Sequence, residues 1–184
     1  GTVKILAAQN YSGATHINNG TFALFANNAL PAGAITMGGL NGTTKYAGAI
    51  DVGGFTQTVS QPIVVATGAD PLAQTITNNG AGTGTIVFDT TAGSTVWAGQ
   101  FKDGAKPLAV GVVGPNSLAI THASASFTGG ASINTGSLIV GPTSGAPNGA
   151  KMGGAVTFSN GGKLVLNSTA NMTLRRPRAF GGAI

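Results

Sequence analysis

Residues 11–24, YSGATHINNGTFAL, return in a second version at residues 127–140, FTGGASINTGSLIV. Aligned without a gap, the copies match an Asn-x-Gly signal, with Gly20 over Gly136. This signal predicts a tight turn, because glycine adopts positive φ freely and asparagine tolerates it. Apolar anchors flank the turn in both copies: Ile17, Phe22 and Leu24, matched by Ile133, Leu138 and Val140. The repeated unit is therefore predicted to be strand, tight turn, strand, and a repeat of this kind decides the architecture.

The composition narrows the class of protein. The 184 residues are enough for one sizeable domain. Apolar residues make up 42% and charged residues 7%, against about 25% charged in an average soluble domain. Val, Ile, Leu and Phe recur throughout, which argues against disorder. No apolar run approaches the ~18 residues of a membrane-spanning helix, so no membrane span is predicted. The absence of cysteine excludes disulfides and thiolate metal sites.

Secondary-structure signals indicate an all-β chain. Helical periodicity is almost missing, and glutamate, the usual capping-box partner, is absent. Short strand signals recur about every ten residues between glycine-containing turns, which fits a sandwich, a barrel or a coil of stacked strands.

The long repeat distinguishes these architectures. The likeness of the two copies continues beyond the motif, so the chain holds one full long repeat at about residues 3–116 and a partial second at about 117–184. A closed sandwich does not naturally stop within a unit, whereas a solenoid can, because each coil contacts mainly its neighbours. We predict a single domain, residues 1–184, folded as a parallel β-helix (β-solenoid), with an antiparallel β-sandwich as the runner-up.

The two copies also resemble a known family. YSGATHINNGTFAL, and FTGGASINTGSLIV following NSLAI, are similar to the autotransporter-associated β-strand repeat, well over about residues 3–26 and 117–141. The resemblance implies a right-handed parallel β-helix on the outside of a bacterial cell, as part of a very long surface protein. It therefore implies an extracellular or bacterial cell-surface location.

The sequence offers little material for catalysis. A triad of Ser12, His16 and Asp51 can be assembled on paper, but no G-x-S-x-G elbow supports it. His122 falls at a different repeat position from His16, so a shared role is not expected. Gly-rich runs lack the Lys-Ser/Thr pair of a phosphate loop. We predict a protein that is not an enzyme, with no catalytic, cofactor-binding or metal-binding residues and no cofactor.

Four aspartates keep one enzymatic alternative open. Asp51, Asp70 and Asp89 are evenly spaced at nearly one coil, so they could line one face, as acids do in β-helix enzymes that cleave polysaccharides. Against this, Asp70 precedes a proline and Asp103 a glycine, which is turn chemistry. Trp97, the only tryptophan, fits core packing or a turn better than a sugar platform.

The charge pattern bears on partners. The net charge is +5, and three cations cluster near the end as Arg175, Arg176 and Arg178. This cluster is either a solvated edge or a contact with an acidic partner. No nucleic-acid motif accompanies it, so nucleic-acid binding is not expected.

The function predicted from the sequence is mechanical. We expect an extracellular structural protein, a building block of a surface fibre, sheath or adhesin stalk. No charged helical cap is visible at either end, and bare strand edges template pairing. A homo-oligomer or head-to-tail filament is therefore expected, through Gly1, Val3, Ile5, Leu6, Met172, Leu174, Phe180 and Ile184. The alternatives are a fragment of an autotransporter adhesin that binds cells or cell-surface glycans and, third, the polysaccharide-cleaving enzyme.

Overall fold

The computed structural model describes residues 1–122, 124–141 and 151–167. These residues form short strands and a single 3-10 turn, Pro71–Ala73. In chain order the strands are β1 (Thr2–Ile5), β2 (Thr15–Ile17), β3 (Gly20–Leu24), β4 (Ile35–Met37), β5 (Gly39–Asn41), β6 (Thr44–Tyr46), β7 (Gly48–Asp51), β8 (Thr56–Val59), β9 (Ile63–Val65), β10 (Thr75–Asn78), β11 (Gly84–Asp89), β12 (Thr95–Trp97), β13 (Gln100–Asp103), β14 (Leu108–Val113), β15 (Ser117–Ile120), β16 (Ser126–Phe127), β17 (Ala131–Asn134), β18 (Ser137–Val140), β19 (Lys151–Met152), β20 (Val156–Ser159) and β21 (Lys163–Leu166).

The strands stack into three parallel faces of one tube. Face one is the sheet β1-β3-β7-β10-β13-β16-β19, and face two is the sheet β8-β11-β14-β17-β20. Face three joins the sheets β2-β4-β9 and β12-β15-β18-β21, because β9 contacts β12. From β7 onward, five successive turns place a strand on every face. The predicted parallel β-solenoid is confirmed, and the antiparallel β-sandwich is wrong.

The inward positions of all three faces make one continuous core. On face one, Phe22, Ile50, Ile76 and Phe101 stack in register along the tube. Aromatic side chains from all faces meet in the middle, where the ring of Phe101 lies 5.9–6.0 Å from those of Phe88, Trp97 and Phe127. Such pairs contribute about 0.5–1.5 kcal/mol each beyond the burial of their area.

The repeated motif forms the predicted strand, turn and strand in both copies, but on different faces. The first copy contributes β2 of face three and β3 of face one, whereas the second contributes β17 of face two and β18 of face three. Gly20 and Gly136 both have positive φ. At each, a Cβ atom would overlap a carbonyl oxygen of the preceding turn, on Gly1 and Asn116 respectively. The motif is therefore a way of turning a corner of the tube, and it fits more than one corner.

One antiparallel element interrupts the stack. The hairpin β5–β6 projects from the corner between faces three and one, with Gly42 in the left-handed region at its tip. The rungs are intact on both sides of it: Gly38 N–H donates to the carbonyl of Ile17, and Gly20 N–H donates to the carbonyl of Ala47.

Candidate self-association surface

The beginning of face one presents an open strand edge. Among the described residues, β1 pairs with β3 on one side and has no strand on the other. Thr21 and Phe25 donate their backbone N–H groups to the carbonyls of Gly1 and Ile5, at 2.9 and 2.8 Å. Alternate backbone groups of a parallel strand point to opposite sides, so those on the far side of β1 are available to a further parallel strand.

Apolar side chains accompany this edge. Val3 is in register with the inward residues Phe22 and Ile50, yet it is 58% exposed, because no rung covers it. Leu6 is 72% exposed. A cleft of about 570 Å³ opens beside them, lined by β1, β2 and the start of β3.

The predicted contact residues divide into two groups. Gly1, Val3, Ile5 and Leu6 lie on or beside β1. Met172, Leu174, Phe180 and Ile184, with Arg175, Arg176 and Arg178, lie outside the described residues. At the far end of the described tube, Phe158 of β20 is in register with buried Ile133 but is itself 55% exposed.

Face two, in contrast, has a covered edge. The turn that contains β3 and β4 has no strand on this face, and asparagine side chains replace one. Oδ1 of Asn27 accepts the N–H of Thr56 at 2.8 Å, and Oδ1 of Asn28 accepts that of Thr58 at 3.1 Å. The first strand of face two is thus satisfied within the chain, which is how proteins protect an edge from other strands.

Buried amide side chains link successive turns of the tube. The side chain of Gln74 accepts the N–H of Gly48 at 2.7 Å and donates to the carbonyls of Tyr46 and Asp70, both at 3.0 Å. Gln57 and Asn78 make comparable sets of bonds to their own neighbouring turns. All three side chains are fully buried. Sequence reasoning missed them, although an amide at an inward position of a strand pattern, as in Thr56–Val59, is the available signal.

The aspartates do not line one face, so that expectation is wrong. Asp51 lies on face one, Asp89 ends a strand of face two, and Asp70 lies beyond face three, because the loops differ in length and equal spacing in sequence does not keep residues on one face. Each carboxylate receives backbone N–H groups in a turn: Asp51 from Gly53 and Asn79, Asp70 from Leu72, and Asp89 from Thr91.

Hydrogen bonds also favour the charged forms of two of the acids. Those from the side chain and backbone of Thr91 lower the pKa of Asp89. Burial opposes ionisation of Asp103, but hydrogen bonds from Leu108 N–H and from Thr128 outweigh it and lower its pKa. Both carboxylates are therefore engaged in hydrogen bonds that stabilise the turns around them. Within the described ranges, no three His, Cys, Asp or Glu side chains gather in a way that could hold a metal ion.

The structure also separates the three residues of the hypothetical Ser-His-Asp triad. Ser12 precedes β2, His16 lies on the outer surface of β2, and Asp51 is engaged with Gly53 and Asn79 on face one. Trp97 is 0% exposed within the aromatic cluster, so it packs in the core and cannot stack on a sugar.

His122 is buried at the corner after face three. Its Nδ1 accepts the N–H of Ser124 at 2.9 Å, while Nε2 has no hydrogen-bond partner in the described structure. Burial lowers the pKa of His122, and the carboxylate of Asp70 partly opposes this effect. Burial in the folded protein therefore favours the neutral form of the side chain.

No helix in the described part of the chain is long and apolar enough to cross a membrane. Searches against protein-family models, curated proteins and solved structures find no significant match to this chain.

Proposed function

We propose that this chain is an extracellular structural protein that associates head to tail into a surface fibre, sheath or stalk. The observation that carries the proposal is the contrast between two edges. The first strand of face two is satisfied by Asn27 and Asn28, whereas β1 of face one offers open backbone groups and the exposed inward residue Val3.

The geometry of β1 favours another solenoid coil as its partner. A parallel strand laid on β1 would continue the ladder at the usual ~4.8 Å spacing, and an inward apolar side chain of that strand would cover Val3. Such a contact joins two different surfaces and adds the second copy along the axis of the tube, so it does not close into a ring and propagates as a filament.

The composition supports a mechanical role outside the cell. Seven per cent charge and a backbone ladder along the whole tube give cohesion that does not depend on salt bridges. The resemblance to the autotransporter-associated repeat supports a place on a bacterial surface.

Electron microscopy of the full chain with a blocked edge tests the proposal. Thr2→Pro removes a backbone N–H that points away from β3, because Gly1 and Ile5 are the neighbours whose carbonyls face β3, and it therefore disfavours a further ladder. Ala8→Pro is the matched control, because it places the same residue in the exposed loop that follows. We expect filaments from the wild type and Ala8→Pro but single particles from Thr2→Pro, with equal far-UV circular dichroism. Monodisperse wild-type particles at high concentration would contradict the proposal, as would unchanged assembly of Thr2→Pro.

A further inference from the structure

The outer surfaces of the three faces differ in chemistry. The central outward line of face three is entirely aliphatic from the third turn onward: Val64, Val96, Ala119, Ile139 and Val165. The corresponding line of face two is Thr58, Val87, Gly111, Ser132 and Thr157. That of face one is Lys4, Ala23, Asp51, Thr77, Lys102, Ser126 and Lys151.

The aliphatic line is accessible to a partner. Val96 is 54% exposed, Val64 41% and Val165 42%, whereas Ala119, the smallest side chain of the line, is only 8% exposed. Outward positions of a solvated strand normally carry polar residues. Face three carries five aliphatic residues in succession, whereas the same line on the other two faces consists mostly of polar, charged or very small residues, and this contrast marks face three as a candidate interaction surface.

The shape and chemistry of this aliphatic line, called the stripe below, indicate which kind of partner it fits. It is a flat row of short, mostly β-branched side chains at the repeat distance of the rungs, without aromatic rings for a sugar or charges for an acidic ligand. A second copy presents the same row at the same repeat, so the two rows can interdigitate rung by rung. We propose that face three is the lateral contact surface between copies of this chain, an inference that rests on the proposed head-to-tail filament.

The small area of the stripe explains why lateral contact requires filaments rather than isolated copies. Five rungs about 4.8 Å apart, each about 10 Å wide, give roughly 250 Å² per copy, or about 500 Å² for a pair. Stable interfaces begin at about 1,000–1,200 Å². Two isolated copies therefore do not hold together through face three. Two aligned filaments do, because each copy adds another stripe in an already aligned position.

Matched lysine substitutions in the full chain test this surface by electron microscopy. Val96→Lys places a charge in the middle of the stripe, and Val87→Lys makes the same change at an outward position of face two. We expect the wild type and Val87→Lys to form side-by-side bundles, whereas Val96→Lys forms single filaments of unchanged length. Far-UV circular dichroism checks that both variants fold.

Each other outcome has a definite meaning. Bundles of Val96→Lys, or equal loss of bundling in both variants, overturn the assignment of face three. Wild-type filaments that always run singly overturn lateral contact and leave the proposed function standing. A wild type that forms no filaments overturns the proposed function and, with it, this inference.

Discussion

Replacing Gln74 by leucine removes a link between turns while nearly preserving side-chain size. The amide is fully buried and makes three hydrogen bonds to backbone groups. Gln74→Leu leaves the buried N–H of Gly48 without this partner, at a cost of about 1–3 kcal/mol, and the two half-buried carbonyls add about 1 kcal/mol each. Burying leucine returns about 1.5–3 kcal/mol. We expect a net loss of about 2 kcal/mol in the free energy of unfolding, a large fraction of the ~5–15 kcal/mol typical of a domain.

Urea unfolding followed by far-UV circular dichroism measures this loss. The fluorescence of Trp97, the only tryptophan, reports on the neighbouring turn. The control is Gln61→Leu, because Gln61 is exposed and makes no side-chain hydrogen bond within the described structure. A Gln74→Leu protein as stable as the wild type, or no less stable than Gln61→Leu, would refute the reasoning that buried amides hold successive turns together.

Two further predictions concern a buried histidine and a corner glycine. Between about pH 6.5 and 5, above the range in which aspartates titrate, the free energy of unfolding should fall as the pH drops, because unfolded His122 takes up a proton that its buried form resists. In urea titrations His122→Gln should abolish the slope in this window, whereas His16→Gln, at an exposed site, should retain it. Gly136→Ala should lower the free energy of unfolding by about 1–3 kcal/mol or more, because Gly136 has positive φ and the new Cβ would overlap the carbonyl of Asn116. The control Gly82→Ala, whose Cβ would lie in open space, should leave the free energy of unfolding nearly unchanged in thermal or urea unfolding.

The sequence predicted the solenoid because its evidence is local and repeated. Short apolar runs give strands, and Asn-x-Gly gives corners, as the positive φ of Gly20 and Gly136 confirms. It did not predict which face each copy occupies, because the loops between corners vary in length and the same corner chemistry serves different corners.

The candidate site was only partly predictable for the same reason. The apolar residues of β1 follow from the sequence, but the open edge depends on which strands have neighbours. The covering of face two by Asn27 and Asn28 is a contact between residues 29 and 30 positions apart in the chain. The even spacing of Asp51, Asp70 and Asp89 suggested a shared face incorrectly. Spacing along the chain does not determine the face of a residue, because the register of the stacked strands and the unequal loops determine it.

The hairpin β5–β6 has a consequence for how such a chain can vary. The ladder of the tube is complete immediately before it, at Gly38, and immediately after it, at Ala47. Its eight-residue excursion takes no part in the ladder and meets the tube through a side-chain hydrogen bond, from Gln74 to the carbonyl of Tyr46. Because that acceptor is a backbone carbonyl, the rungs require of the segment mainly that its two ends lie close together. The tube and the projecting hairpin are therefore largely independent at this corner. Related chains could carry a different projecting segment here while the tube stays unchanged.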